Sequence, residues 1–507
     1  MATDPPLLLD ASALSIEDVV AVARRGRFVE MSGDVAARLT ATRAKLEALT
    51  TDGNAYYGIN TGFGSLARTR ISSEKLRELQ ANLIRSHAAG VGESLDGDVV
   101  RAMMLLLAAS LSRGHSGVRP VVVETILAWL NAGLTPVVPS LGSVGASGDL
   151  APLAHAVLAM MGEAPTLDGR TPQEAGIEPL TLEAKEGLAL INGTHLMAAR
   201  AALLVHDFDR LITGALVANA IAIDAFRASA SYLDPRVHAA RNQPATAEIA
   251  SKLTRLLQPS AIWKSHQTDD PRVQDPYSFR CAPYVLGAAL DTASHVRDVT
   301  QRELGAVTDN PLLFEHGDSL DVVSAGNFHG MPIAIPLDTL AMAIAHIAGI
   351  SERRVFAILA ASDPETHLLP YLSHGPGLHS GLMIAQYTSA ALVNEIAGLA
   401  SPASVINLPT SAGIEDYNSF GPRSAAKAAR ALQLAESVVA IEMICAAEGV
   451  EFHRPLTSGA AVEEALKRIR AVVPSFSADR SPAPAIEAVS AMIREDAFAD
   501  IFQFARE

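Results

Sequence analysis

The strongest constraint on the fold is the helical spacing of apolar residues over several long segments. Between Pro422 and Glu448, apolar residues recur three or four positions apart, which is the spacing of one helix face. They are Ala431, Leu434, Val438, Ile441 and Cys445. Pro422 suits the first turn of this helix, and Gly449 suits its C-terminal cap. Similar patterns cover residues 196–226, 282–304 and 336–361, and only 5% of residues are aromatic. The sequence therefore predicts a mainly α fold, built as a bundle of long helices.

Shorter, glycine-containing pieces come before residue 195 and predict loops, among them residues 57–64 and 141–149. We expect a smaller, loop-rich N-terminal domain over residues 1–210. A long central helix bundle with C-terminal helices is expected over residues 211–507. Loops held on a rigid helical frame often carry chemistry, so we expect the functional site to draw on the N-terminal domain.

Charge and cysteine content exclude several classes of function. The net charge of −15 argues against a nucleic-acid or anionic-membrane partner, because those partners recruit basic surfaces. Two cysteines, Cys281 and Cys445, are too few for a disulfide scaffold or a cysteine-rich metal site. The first residues lack the basic start of a secretory signal, and no run of about 18 uninterrupted apolar residues appears. We therefore expect a cytoplasmic protein that binds neither membrane nor metal.

The most informative segment runs from Gly142 to Asp149 and reads GSVGASGD. It lacks the Gly-x-Ser-x-Gly spacing of a nucleophile elbow, the Lys-Ser/Thr end of a phosphate loop and a dinucleotide fingerprint. As local structure it predicts a loop, with Asp149 as N-cap of a helix that has Pro152 in its first turn. That interpretation does not explain the run Ala146-Ser147-Gly148.

Seven motifs, taken in order along nearly the whole chain, resemble the aromatic amino acid ammonia-lyases and aminomutases. They are Tyr57-Gly-Ile-Asn-Thr-Gly-Phe-Gly64, Ser86-His-Ala-Ala-Gly-Val-Gly92, the GASGDL loop at 145–150, Asn192-Gly-Thr194, Gln274-Asp-Pro-Tyr-Ser-Phe-Arg-Cys281, Gly326-Asn-Phe-His329 and Glu415-Asp416. The resemblance implies the helical architecture that this family shares with fumarase and aspartase. It also implies a homotetramer in which each active site draws residues from more than one subunit.

In that family, Ala-Ser-Gly cyclises without an added cofactor to 4-methylidene-imidazol-5-one (MIO). Carried over to this chain, the Gly148 nitrogen would attack the Ala146 carbonyl, and two waters would leave, one of them with the Ser147 hydroxyl. The residue types suit this closure, because glycine at 148 lacks a Cβ that would obstruct a compressed turn. Asp149 could relay protons during closure, and this role is compatible with its role as a helix cap.

The elimination of ammonia from an α-amino acid requires an electrophile of this kind. Removing ammonia from an α-amino acid expels a poor leaving group while a weakly acidic β-proton is abstracted, and side chains supply only nucleophiles, acids and bases. Pyridoxal phosphate needs a lysine that forms a Schiff base with it. The few lysines of this chain stand in no sequence context that is recognisable for that role. The histidines form no His-Glu-x-x-His motif and the two cysteines are far apart in sequence, so we do not expect a zinc ion in that role.

The resemblance also implies roles for single residues. Tyr57 would be the base for the β-proton, in an electropositive site and with an alkaline optimum, because a phenol has an ordinary pKa of about 10. Arg280 would bind the substrate carboxylate, with Tyr277 on the same helical or turn face. Polar and aromatic groups that orient the substrate and the ring would be Asn192, Gln274, Asn327 and Phe328. For each, a purely structural role is the alternative.

Two residues indicate the substrate. His87 stands where phenylalanine-specific relatives tend to have an apolar residue, and Glu415, counted with the catalytic residues, stands where the phenylalanine and tyrosine enzymes usually have glutamine. A carboxylate suits an imidazole better than a phenyl ring, so the pair favours L-histidine and its degradation to trans-urocanate.

Four alternatives stay open. The stretch 413–418 departs from the Asn-Gln-Glu-Asp-His pattern of the histidine enzymes, which leaves a phenylalanine or tyrosine ammonia-lyase, or an aminomutase. Two more remote hypotheses are a serine hydrolase with Ser147 as its nucleophile and a non-enzymatic helical assembly protein.

Overall fold

The computed structural model describes residues 5–50, 54–62, 71–229, 231–268 and 270–505, and in these ranges the chain is mainly α. Phe63 and Gly64, the last two residues of the first motif, lie outside the described residues. The strands form three separate two-stranded sheets: β1 with β2 (parallel), β3 with β4, and β5 with β6 (both antiparallel).

The elements follow one another along the chain in this order. The first are β1 Leu7–Leu9, α1 Ile16–Arg25, β2 Val29–Met31, α2 Gly33–Thr50, α3 Leu76–His87, β3 Val91–Ser94, α4 Gly97–Leu111, α5 Pro120–Asn131, β4 Pro139–Leu141, α6 Leu150–Met160 and α7 Glu186–Ile191. Next come α8 His195–Phe226, α9 Pro235–Arg241, α10 Pro244–Leu257, α11 Ala261–Lys264, α12 Tyr277–Arg280, α13 Ala282–Glu303, β5 Leu312–His316 and β6 Ser319–Val323. The last are α14 Met331–Ala360, α15 Met383–Leu399, α16 Gly421–Glu451, α17 Ala460–Val472 and α18 Ala483–Arg494.

The chain forms two compact units. The first contains residues 1–206, 296–338 and 402–426, and the second contains 207–295, 339–401 and 427–507. Four long helices, α8, α13, α14 and α16, carry the chain from one unit to the other. The sequence-based division at residue 210 treats each part as continuous and stays a prediction, whereas these compact units are discontinuous in sequence.

The four long helices confirm the periodicity argument, because each predicted segment is helical to within a few residues. The prediction that Gly449 caps a helix is wrong, since α16 continues through it to Glu451. A Cβ at Gly449 would lie 2.9 Å from the Cβ of Ala225 in the second unit. Gly449 therefore allows two helices to approach closely, and it does not end one of them.

Three helices of the first unit, α3, α6 and α7, pack against one another. Their contact is apolar, with residues such as Leu83, Leu153 and Leu190 buried. His87 ends α3, while Asp149 and Asn192 flank the start of α6 and the end of α7. Packing of these three helices thus fixes three of the predicted site residues, each at a helix end.

In the second unit, a buried ion pair secures the segment around α12. Arg354 and Glu442 are fully buried, with Arg354 Nη2 donating to Glu442 Oε2 at 2.8 Å. Arg354 Nη1 also donates to the carbonyl of Ser278 at 3.1 Å, which ties the short helix α12 to α14. Pairing and hydrogen bonding together satisfy a charge that burial alone would disfavour.

Helix α14 is, among the described ranges, the one helix long and apolar enough to cross a membrane by length and composition. Of its most apolar stretch, 61% is buried inside the protein, as in the core helix of a globular fold.

Candidate active site

The loop between β4 and α6 is turned sharply on both sides of Ala146-Ser147. Gly145 and Gly148 have φ of +68° and +76°, in the left-handed region that favours glycine. A Cβ at Gly145 would lie 2.1 Å from Ser419 Oγ, and one at Gly148 would lie 2.1 Å from the carbonyl oxygen of Gly193. Both positions therefore require glycine for space as well as for backbone conformation.

A second segment, Asn192–Thr194, holds this loop through its backbone. The amide of Asp149 donates to the carbonyl of Gly193 at 2.7 Å, and the amide of Gly193 donates to the carbonyl of Ser147 at 3.2 Å. These two bonds fix the residue on each side of Gly148, so the loop cannot shift unless the 192–194 segment moves too.

Asp149 is fully buried beneath the loop. It precedes α6 as predicted, but its side chain does not cap that helix. Instead Oδ2 accepts hydrogen bonds from the amides of Leu196 and Met197, at 2.9 and 3.1 Å, in the first turn of α8. Burial raises the pKa of Asp149 to about 7, against the opposing effect of those amides. The expected capping group thus serves a helix far away in sequence.

Glu415 faces the serine of the tripeptide. Ser147 Oγ donates to Glu415 Oε1 at 3.4 Å, and Thr410 Oγ1 donates to Glu415 Oε2 at 2.9 Å. The carboxylate is only half-buried and follows the tight turn Ser411–Gly413. It therefore lies within reach of a ligand that occupies the space beside Ser147.

His87 presents one ring nitrogen for binding. Its Nδ1 lies 2.9 Å from the carbonyl oxygen of Leu83, and because a carbonyl can only accept, Nδ1 carries the hydrogen. Burial lowers the pKa of His87, opposed by the Leu83 carbonyl and the Glu415 carboxylate. The neutral ring then leaves Nε2 as a hydrogen-bond acceptor.

Asn192, the residue after α7, has one half of its amide in use. Nδ2 donates to Asn310 O at 3.0 Å and to Asp309 Oδ1 at 3.3 Å. Its Oδ1 is buried and accepts no hydrogen bond from any residue in the described ranges. A buried polar atom normally has a hydrogen-bond partner. A bound ligand, or a nearby residue that has been chemically modified, would supply the missing donor for Oδ1.

A cavity of about 860 Å³ in the first unit brings six predicted residues together. They are Tyr57, His87, Ser147, Asn192, Phe328 and Glu415. Ala146, Gly148 and Asp149 belong to the loop that carries Ser147. Sequence reasoning assigned no role to the polar wall residues Asn82, Ser86, Asn310 and Ser324, of which it named only Ser86, as part of a motif. The size and the mixed apolar and polar lining suit an amino acid or a similar small molecule.

Three other predicted residues lie together in the second unit. Gln274, Tyr277 and Arg280 line a separate cavity of about 950 Å³. The Arg280 guanidinium lies over the Tyr277 ring, 4.4 Å from its centroid, and Arg280 Nε donates to the carbonyl of Asp275 at 3.0 Å. The prediction that Tyr277 and Arg280 share a face is confirmed.

Asn327 does not line the first unit's cavity, although Phe328 does. Its side chain is exposed, and Nδ2 donates to the carbonyl of Val307 at 3.2 Å. The neighbouring Asp416 is also exposed. Within the described ranges, no group of three or more histidine, cysteine, aspartate or glutamate side chains is arranged to hold a metal ion.

Comparisons with known proteins identify the family of this chain. Residues 14–471 match the family described as aromatic amino acid lyase. The histidine ammonia-lyase of Symbiobacterium thermophilum is 45% identical over 488 residues, which is 95% of each chain. Among solved structures, the histidine ammonia-lyase of Trypanosoma cruzi is 37% identical with a TM-score of 0.90, over 99% of this chain and 96% of that one. The tyrosine aminomutase of Streptomyces globisporus is 32% identical with a TM-score of 0.92, over 99% of each chain. The chain therefore belongs to the aromatic amino acid lyase family.

Proposed function

We propose that this enzyme is an ammonia-lyase that converts L-histidine to trans-urocanate and ammonia without oxidation. The observation that carries the proposal is the pairing of His87 and Glu415 in one cavity with Ser147. A carboxylate and an imidazole acceptor suit a substrate ring that bears N–H groups, and both would be left unpaired against a phenyl ring. Relatives 42–46% identical over nearly the whole chain are histidine ammonia-lyases, which supports the same substrate.

We further propose that Ala146-Ser147-Gly148 cyclises to MIO, with no external cofactor. The residues fit such a group: glycines with positive φ flank Ala146-Ser147, and the buried Asn192 Oδ1 lacks a donor in the described ranges. The finished ring would supply an electrophile that makes the amino group of the substrate a better leaving group. Asn192 and Asp149 would hold the loop in place, and Phe328 would pack beside it.

The remaining roles belong to side chains of this chain. Tyr57 accepts the β-proton from the substrate, and His87 and Glu415 bind its ring. Arg280 binds the carboxylate as a two-pronged donor, with Tyr277 stacked beneath the guanidinium. Gln274, on the wall of the second unit's cavity, orients the substrate, whereas the same role predicted for Asn327 has no support from the first unit's cavity, which Asn327 does not line.

We propose a homotetramer in which neighbouring subunits contribute to one site, with Tyr57 supplied from the cavity of the first unit and Arg280 from the cavity of the second unit. Inactive Tyr57→Phe and inactive Arg280→Met chains, refolded together, should then recover part of the wild-type activity. A monomer by light scattering that keeps full activity would contradict the shared site. We place the enzyme in the cytoplasm, where Cys281 and Cys445 would stay reduced; both are free cysteines in the structure.

Intact-mass analysis tests the cyclisation. The purified chain should be lighter than its sequence by two waters and should have a near-ultraviolet band that borohydride or cyanide removes. Ser147→Ala should restore the full mass and abolish turnover. A full-mass chain that still turns over L-histidine would rule out cyclisation as the source of the electrophile.

A phenylalanine or tyrosine ammonia-lyase, or an aminomutase, is the second candidate, because the similarity to a tyrosine aminomutase extends over the whole chain. Product analysis on L-histidine, L-phenylalanine and L-tyrosine separates these activities, since a mutase yields a β-amino acid where a lyase yields an unsaturated acid.

A further inference from the structure

A buried ion pair lies next to two residues that line the cavity in the first unit, Asn192 and Asn310. Lys185 Nζ lies 2.6 Å from Asp309 Oδ2, and both side chains are almost fully buried. Lys185 directly precedes α7, and its backbone φ is +73°, a value that residues other than glycine rarely adopt. Removing one partner would leave an uncompensated buried charge, so each of these groups requires the other.

Asp309 also contacts the residue at the other end of α7. Its Oδ1 accepts from Asn192 Nδ2 at 3.3 Å and from the amide of Asn310 at 2.6 Å. A carboxylate and a carbonyl oxygen can only accept, and these are the two groups that Nδ2 meets. The side-chain amide of Asn192 therefore has one allowed orientation. In that orientation Oδ1 is free to accept a hydrogen bond from a ligand or from the cyclised loop 146–148.

The same contact extends to the tripeptide. Asn192 is followed by Gly193, whose amide and carbonyl bond to Ser147 and Asp149. A flip or shift of Asn192 would thus disturb both its own free acceptor and the backbone that holds Gly148.

We propose that Asp309, held by Lys185, is a positioning residue that orients Asn192 for the reaction. The proposal rests on the function proposed above and assigns Asp309 no contact with substrate. Lys185 acts one step further away, because its Nζ donates to Asp309 Oδ2 and holds that side chain in place. Sequence reasoning missed both residues; the only signal was a lysine and a glutamate directly before the apolar stretch 187–191.

Two double variants of similar volume separate positioning from charge: Lys185→Met with Asp309→Asn, and Lys185→Met with Asp309→Leu. Both lack the ion pair, but only asparagine keeps an acceptor for Asn192 Nδ2. We expect the asparagine variant to retain kcat within a few fold of wild type. The leucine variant should lose about tenfold or more in kcat, because a small misplacement of a reacting group is costly.

A double-mutant cycle tests whether Asp309 affects kcat through Asn192. Asn192→Ala in the leucine background should cost little further kcat, because the amide is already released. Hydrogen exchange of the peptide 188–196 should be faster in the leucine variant than in the asparagine variant, and this readout does not depend on turnover. Equal kcat values for the two double variants, or a full additional loss from Asn192→Ala, would overturn the proposal.

Failure of the proposed function would be recognised separately. A wild-type chain without histidine turnover, whose exchange at 188–196 still distinguishes the two double variants, would contradict the assigned reaction and leave the positioning by Asp309 standing. Equal exchange in both variants with an active wild type would do the reverse.

Discussion

Replacing Asp149 with asparagine should change how the stability of the fold depends on pH. Asparagine has nearly the shape of aspartate, and its Oδ1 can accept from the amides of Leu196 and Met197 that Asp149 serves. Its Nδ2 can donate to Ser143 Oγ, which lies 3.3 Å from Asp149 Oδ1. The substitution therefore removes the titration and keeps the hydrogen bonds.

The expected magnitude follows from the raised pKa of Asp149, about 7 against an ordinary value of 3.8. Between these values the folded chain binds the proton and the unfolded chain does not, so the free energy of unfolding falls as pH rises. At about 1.4 kcal/mol per pH unit, the whole window corresponds to about 4 kcal/mol. Above pH 7 the carboxyl is ionised in both states, and the dependence ends.

Asp149→Ala gives a contrasting perturbation, because it removes the acceptor altogether. The buried amides of Leu196 and Met197 would then lack a partner, at a cost of about 1–3 kcal/mol each. The alanine variant should therefore be less stable than the asparagine variant at every pH at which both fold.

Denaturant unfolding between pH 5 and pH 8 measures both effects, with every chain carrying Ser147→Ala so that cyclisation does not differ among them. The Asp149 chain should lose about 2–3 kcal/mol relative to the Asp149→Asn chain over this range. Parallel curves for these two chains would refute the raised pKa. Equal stability of the alanine and asparagine variants would refute the cap on α8.

Two further predictions concern the loop and the substrate. Gly148→Ala should strongly reduce the cyclised fraction in intact-mass analysis, because its Cβ would lie 2.1 Å from Gly193 O; Gly169→Ala, with a φ of +77° and nothing within 4 Å, is the matched control and should cyclise normally. Glu415→Gln combined with His87→Leu should lower kcat/KM for L-histidine about tenfold more than for L-phenylalanine, because it removes partners that only an imidazole uses. Equal losses for both substrates would show that the pair does not select the ring.

The long helices could be predicted from sequence because their apolar spacing is a local property. For example, the segment 336–361 corresponds to α14, which begins five residues earlier at Met331. Gly449 was misassigned because a missing Cβ serves a helix cap and a close helix contact equally well. Only the position of Ala225, more than 200 residues away in sequence, distinguishes the two.

The site was predictable where a motif carries the chemistry. Ser147, His87 and Glu415 were named from their motifs, and the cavity of the first unit brings them together. Asp309 and Lys185 were missed because their pairing spans 124 residues and depends on how α7 packs. For the same reason the target of the Asp149 side chain, the first turn of α8, followed from no local pattern.

The most direct test of the account is the ratio of kcat/KM for L-histidine to that for L-phenylalanine, measured on the unmodified enzyme by the appearance of urocanate and of cinnamate. We predict a ratio of at least about ten, because leaving one buried polar group unpaired against a phenyl ring costs about 1–3 kcal/mol. A ratio below one would contradict histidine as the substrate and the roles of His87 and Glu415.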